Sequence, residues 1–318
     1  MENLFHRFSG LLKKAAHCSL KTPLLLAFLI FLPASNARSD QLIEMRESKY
    51  NNIYVYQKDE YISMTFGHNR RIFVESVYNP RNEKELPVVY TRYMTAGIVY
   101  AKSLESVLEI GLGGGRTSWY THKYLPNTFI TAVEIDPEVI SLAKKYFGIK
   151  EEKYFHLVAR DGRLYLTRNK DAYDIIFIDA YRGPFVPFHL LTKEFYHLVK
   201  TRLKPGGAVV QNIEPSTMLF DSAVATIRAV FDNLDLFDAG GNVVAISYDG
   251  PAHSTPELLK NAEHLQKRYH FFYDLPNMIR QRQPLTKLPP VGPLTDDFAP
   301  VEYLKSIEKH NRKWPNGQ

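Results

Sequence analysis

The sequence predicts an α/β protein, an open and mostly parallel sheet with crossover helices behind a small N-terminal β-rich domain. Three observations predict it. From Val107 onward, apolar runs of strand length alternate with helical patterns, which implies parallel strands joined by helices. Residues 107–115 read Val-Leu-Glu-Ile-Gly-Leu-Gly-Gly-Gly, an apolar run feeding a glycine-rich turn. Glu134 stands 23 positions after Gly111, at the end of the next apolar run. Strand, glycine turn, helix and strand-terminal carboxylate in this order make a nucleotide-type βαβ unit and a Rossmann-like sheet. Glycines let the backbone approach a ligand, and the acid accepts hydrogen bonds from ribose hydroxyls. A Gly-Gly-Gly alone also occurs in plain loops; the strand before it and the acid after it give this one its meaning.

The elements follow in chain order. Residues 1–37 hold Arg7, Lys13, Lys14 and Lys21, then the apolar run Leu24–Leu32, then Pro33 and the small residues Ala34 to Ala37. A basic stretch, a short apolar stretch and small residues predict a secretory signal cleaved after Ala37. Nine apolar residues are too few to span a bilayer, which needs about 20; an uncleaved anchor is the alternative. The leader predicts an exported or periplasmic protein, with a cytoplasmic or membrane-anchored one as alternatives and membrane contact only through this segment. Cys18, the one cysteine, lies inside it, so the mature chain has no thiol, disulfide or cysteine metal site.

Residues 41–85 read as a β-hairpin domain, with alternation at Tyr50–Gln57 and short strands at 61–67 and 71–76. Residues 86–275 form the predicted nucleoside-binding catalytic domain. A helix is expected over Val88–Tyr100. Strands are expected at 106–111, 130–135, 155–159, 173–179, 207–213 and 242–248, and helices at 116–124, 137–146, 192–202 and 218–231. Residues 276–318 are expected to be a surface connection, proline-rich from Pro276 to Pro293, followed by a C-terminal helix near Pro300.

The chain has 318 residues, 45% of them hydrophobic and 23% charged, an ordinary globular balance. Its net charge of +6 is mild, half of it in the leader, and no basic patch interleaves with aromatics, so no nucleic-acid partner is expected. The 11 histidines show no zinc spacing, and there is no Gly-x-Ser-x-Gly elbow and no P-loop. No metal is expected, and hydrolase and triphosphatase chemistries find no support.

In an open parallel sheet the ligand lies at the carboxyl ends of the strands. The first strand ends in Gly111, Gly113 and Gly115 of the glycine turn, and the second in Glu134, Ile135 and Asp136. The third ends in Asp161-Gly162, the fourth in Asp179 with Tyr181 and Arg182, the fifth in Gln211-Asn212. Each acid alone could be a helix cap or a turn former; five converging ends, four polar or acidic and one a glycine turn, point to a site.

From about Glu47 to Ser247 this order resembles the spermidine synthase (aminopropyltransferase) family, within the class I S-adenosylmethionine-dependent transferases. The resemblance rests on Glu47-Ser-Lys-Tyr-Asn-Asn-Ile-Tyr-Val, Tyr90-Thr-Arg-Tyr-Met, Val133-Glu-Ile-Asp, Asp161-Gly, Asp174-Ile-Ile-Phe-Ile-Asp, Leu191-Thr-Lys-Glu-Phe-Tyr and Leu203-Lys-Pro-Gly-Gly. It implies a methyltransferase-type sheet and a cytosolic family using decarboxylated S-adenosylmethionine. It also implies a small-molecule amine acceptor and a homo-oligomer formed through the N-terminal β region. Glu134 and Ile135 would belong to the ribose segment, Asp161 and Gly162 to the adenine segment, and Tyr90 to a helix beside the amine. Leu294-Thr-Asp-Asp-Phe resembles a segment of bacterial spermidine synthase-like proteins, so Asp296 and Asp297 are candidate amine ligands; capping of the following helix by Thr295 and Asp296 is the alternative.

The chain also departs from that pattern. Gly114 stands where the family's glycine motif has an aspartate for the donor's ammonium. Arg182 stands where a second acid grips the amine. Glu75 and Asn51 stand where the family has glutamines.

A sulfonium makes its attached carbons electrophilic and leaves as a neutral thioether. An amine with a pKa near ~10 must first lose a proton. Asp179 is the candidate base, a backbone-bonded structural acid the alternative. Tyr90 and Tyr181 are candidate walls of the acceptor site, with Gln211 beside them. Three functions fit. The first is aminopropyl transfer from decarboxylated S-adenosylmethionine to an amine. The second is methyl transfer from S-adenosylmethionine, favoured by the missing acid at Gly114. The third is a non-catalytic, exported nucleoside- or polyamine-binding protein.

Overall fold

A computed structural model describes residues 40–67, 74–182, 185–217, 219–285, 287 and 289–297. The leader, the expected helix near Pro300 and residues 71–73 of an expected strand lie outside them. Two sheets carry the fold. The first is an antiparallel meander of β1 (Gln41–Glu47), β2 (Asn52–Lys58), β3 (Tyr61–Phe66) and β4 (Val74–Tyr78), in that spatial order. Ile53, Val55, Met64 and Tyr78 form its buried face with Val139, Leu142 and Phe147.

A short helix α1 (Val89–Met94) leads into the second sheet. The segment expected as one helix over Val88–Tyr100 changes after Met94 to a 3-10 turn at Thr95–Val99. Gly97 there lies so close to the sheet that a Cβ would sit 2.2 Å from Val210.

The second sheet begins with alternating units: β5 (Ser106–Ile110), α2 (Arg116–Tyr124), β6 (Phe129–Glu134), α3 (Pro137–Tyr146), β7 (Phe155–Ala159), α4 (Gly162–Arg168), β8 (Tyr173–Ile178), α5 (Lys193–Lys200), β9 (Leu203–Ile213) and α6 (Phe220–Arg228). It is completed by β10 (Asn233–Asp238), β11 (Val243–Tyr248), α7 (Thr255–Tyr269), α8 (Leu275–Ile279) and β12 (Gln283–Pro284). The strand order is β12-β10-β11-β9-β8-β5-β6-β7. The central strands β7, β6, β5, β8 and β9 pair in parallel, and β11, β10 and β12 add antiparallel neighbours. This is the expected Rossmann-like sheet of methyltransferase type, with an antiparallel extension. The order reverses between β5 and β8, so a crevice opens at their carboxyl ends, where such sheets hold ligands.

Both faces of the sheet are covered. Trp119, Tyr120, Phe155 and Phe177 pack on one side, and Phe195, Tyr196, Val209 and Phe231 on the other. Fully burying an apolar side chain of this size contributes ~1.5–3 kcal/mol.

The start of the stretch from Pro276 to Pro293 is not a surface connection but a short helix, α8, whereas the described residues from Arg280 onward are mostly exposed. Pro276 sits in the first turn of α8, where a missing N–H costs nothing, and Asp274 caps that helix by accepting from the Asn277 N–H. Leu275, Met278 and Ile279 are the buried face of that helix.

Candidate active site

A cavity of about 590 Å³ opens at the crevice, within the range of small-molecule sites. Its floor is the glycine turn. Gly111 follows β5 with φ +89°, and a Cβ there would lie 2.3 Å from the Asp179 carbonyl oxygen. Only a glycine lets the turn run against the end of β8, where the Asp179 N–H donates to Ile110 (2.8 Å). Gly111 and Gly113 line the cavity; Gly115 lies outside it as the left-handed N-cap of α2.

Glu134 ends β6 with its carboxylate almost wholly buried. It accepts from the Leu112 N–H (2.9 Å) and the Asp136 N–H (3.1 Å). Burial raises its pKa and these backbone donors oppose the rise. Each oxygen retains a lone pair for a ribose hydroxyl. Ile135 lies beside it, exposed at the cavity wall.

Asp161 and Gly162 also line the cavity. Asp161 caps α4 through the Leu164 N–H (2.8 Å), so the capping alternative is realised, and it pairs with His189 Nε2 (3.0 Å). His189 is the main cause that lowers its pKa. The chain order gave no signal for His189, which reaches the cavity from the loop before α5.

Asp179 projects from the end of β8. Its Oδ2 accepts from the Tyr90 hydroxyl (3.1 Å) and its Oδ1 from Asn212 Nδ2 (3.0 Å). Burial pushes its pKa up to about 6 against the pull of those two donors. Burial, then the charge of Asp179, holds the Tyr90 phenol well above its usual pKa, so Tyr90 stays a donor. Tyr181 also lines the cavity and donates to the Asn212 carbonyl (3.0 Å). Asn242 donates to Asn212 Oδ1 (2.8 Å) and thereby fixes which end of that amide faces Asp179.

Gln211 is placed elsewhere. Successive side chains of a strand point to opposite faces, so Asn212 faces Asp179. Gln211 is buried among the α5 side chains, accepting from the Tyr196 hydroxyl (2.6 Å). Asp296 and Asp297 are also outside the cavity. Asp296 is engaged by Arg163 (2.8 Å) and the Thr192 hydroxyl (2.7 Å), and Asp297 is exposed.

The N-terminal sheet closes the cavity. Tyr50, Asn51, Phe66, Glu75 and Ser76 come from it. Four carboxylates, Glu75, Glu134, Asp161 and Asp179, line a space whose basic lining residues are Arg182 and His189. A cavity that gathers a ribose-type acid, an acid paired with a histidine and a hydrogen-bonded acid suits a cationic nucleoside. Among the described residues no group of three or more metal-ligating side chains gathers.

Residues 88–236 match the spermine/spermidine synthase domain. The chain is 28% identical over 275 residues to the polyamine aminopropyltransferase of Vibrio vulnificus, covering 83% of this chain and 91% of that protein. Human methyltransferase-like protein 13, solved in complex with SAH, superposes with a TM-score of 0.53 at 26% identity, over 57% of this chain and 92% of that one. Spermidine synthase from Thermotoga maritima shares the fold, with a TM-score of 0.58 at 21% identity over 74% of this chain and 80% of that one.

Proposed function

We propose, from a chain that carries a spermine/spermidine synthase domain over residues 88–236, that it transfers an aminopropyl group from decarboxylated S-adenosylmethionine to an amine. The observation that carries the reading is Asp179, held by Tyr90 and Asn212 in the same cavity as the Glu134 cradle. The relatives support a transferase using a sulfonium nucleoside; the transferred group and the acceptor are the proposal.

The donor supplies a carbon made electrophilic by positive sulfur. Glu134 and the glycine turn hold its ribose, and Asp161 with His189 stands at the base end. Asp179 accepts a proton from the acceptor ammonium, whose freed lone pair forms the new C–N bond. The C–S bond breaks and its electrons stay on sulfur, leaving neutral methylthioadenosine. An acid with a pKa near 6 is ionised at neutral pH and still basic enough to take a proton during the reaction. Tyr90 and Asn212 orient its two oxygens, so the amine approaches a fixed base.

Methyl transfer on the same scaffold is the second reading. It is favoured by the 26% identity to a methyltransferase-like protein solved with SAH. Calorimetry with methylthioadenosine, decarboxylated S-adenosylmethionine and S-adenosylmethionine separates the readings. The aminopropyl reading expects the decarboxylated donor to bind more tightly. Tighter binding of S-adenosylmethionine favours methyl transfer, and binding of none of the three sinks the nucleoside site.

A further inference from the structure

Four carboxylates line the cavity, and three of them are committed. Both oxygens of Glu134 accept backbone N–H bonds, both of Asp161 are taken by the Leu164 N–H and His189, and both of Asp179 by Tyr90 and Asn212. Glu75 differs. Its Oε1 is buried and has no hydrogen-bond partner among the described residues. A buried acceptor without a donor is costly in a folded protein, and here the unmet oxygen belongs to a group that lines a ligand cavity.

Its place within the cavity is defined by its neighbours. The following residue, Ser76, accepts the Gly114 N–H (2.7 Å), so β4 lies against the glycine turn. The charges that act on Glu75 are those of Asp179 and Glu134. It therefore shares the cavity with the ribose acid and the base and feels the charge of both. The turn itself cannot supply an anion there. A Cβ on Gly114 would meet Phe147 at 2.6 Å and Ser76 at 2.8 Å.

We propose that Glu75 holds the ammonium of the donor's aminopropyl chain and so selects a decarboxylated sulfonium over S-adenosylmethionine, whose carboxylate it repels. This rests on the transfer reading above and names the residue that sets donor choice within it. An ammonium supplies the missing donors to Oε1. Burial and the neighbouring charges of Asp179 and Glu134 hold the free Glu75 carboxyl well above the usual range, and an adjacent cation offsets that repulsion. S-adenosylmethionine offers the same ammonium together with a carboxylate on the same carbon, and so brings a like charge to the same place.

The test is calorimetry on the full chain and on two variants. Glu75→Gln retains the shape, and Glu75→Leu removes the polar group altogether. Methylthioadenosine, which has no ammonium, should bind the wild type and both variants within about twofold, and this also shows that they fold. Decarboxylated S-adenosylmethionine should bind both variants about 10- to 100-fold more weakly, the effect of losing a charged hydrogen bond. S-adenosylmethionine should bind them as well as or better than the wild type. If methylthioadenosine binds throughout and the variants keep the wild-type preference for the decarboxylated donor, the assignment of Glu75 is overturned while the transfer reading stands. If the wild type prefers S-adenosylmethionine, or binds no nucleoside, the transfer reading itself fails and takes Glu75 with it.

Discussion

Asp179 is where residue chemistry and pH meet. Its pKa is raised from the usual carboxylate value to about 6 by burial, so the unprotonated base is lost as pH falls through 6. The expected kcat/KM profile has an acid limb near pH 6. Asp179→Asn should lower kcat by about 10²–10⁴-fold, the range for a general base, while changing methylthioadenosine affinity less than twofold. Undiminished turnover removes Asp179 as the base. The stability sign follows from the same shift. Between the unfolded value near 4 and the folded value near 6, the native state binds more protons than the unfolded one, so stability falls as pH rises through that window and is level above it. Denaturant melts of wild type and Asp179→Asn should therefore diverge from pH 4 to pH 6, the wild type losing ground. Parallel curves would contradict the raised pKa. Asp179, Glu134 and Asp161 were legible because each ends a strand run at the ligand edge. Gln211 and Asn212 were not separable, because strand alternation gives opposite directions to neighbours and nothing local says which one faces the crevice. Asp296 and Asp297 read as candidate amine ligands from sequence; Arg163, 133 positions earlier, engages the first.

At the scale of elements, the glycine turn and the strand ends position one another. The close approach of Gly111 to the Asp179 carbonyl and its φ of +89° leave no room for a side chain. Gly111→Ala combines a strained backbone with a steric clash, and should cost about 1–3 kcal/mol from strain alone. It should also displace Asp179 and lower kcat more than it lowers stability at the working temperature. Measuring unfolding and turnover on the same preparation checks this; full activity at wild-type stability would show that the turn does not fix the base. The parallel core was readable because its strands are continuous apolar runs between glycine and carboxylate punctuation. α7 was not expected, although Ser254 caps it through the Glu257 N–H and Pro256 lies in its first turn. Only Leu258 and Ala262 of that helix are buried, too narrow an apolar stripe to stand out against its charged face. β10 was likewise missed. It alternates buried and exposed positions only weakly, and its place beside β11 is set by pairing that no local pattern encodes.

At the scale of the molecule, the two sheets behave as one binding device. Ser48 donates to Asp136, Arg46 reaches Glu138 (3.0 Å), and Arg116 donates to the Glu83 carbonyl (2.7 Å), tying β1–β4 to α2 and α3. We propose separately that residues 1–37 are an export leader. Intact-mass measurement on protein from the native host should show a chain beginning at Arg38, and an intact Met1 would refute cleavage. The ties between the sheets carry a further expectation. Since Tyr50, Phe66 and Glu75 close a cavity whose floor is Gly111 to Gly113, a ligand bound there bridges both sheets. Ligand binding stabilises the native state by about 2.7 kcal/mol at 100 times Kd. That gain is felt by every segment whose opening requires release of the ligand. Hydrogen exchange with saturating methylthioadenosine should therefore slow in β6 and the glycine turn. With decarboxylated S-adenosylmethionine, whose chain extends toward Glu75, it should slow in β3 and β4 as well. Protection confined to the glycine turn with both ligands would mean that the N-terminal sheet roofs the cavity without gripping its occupant.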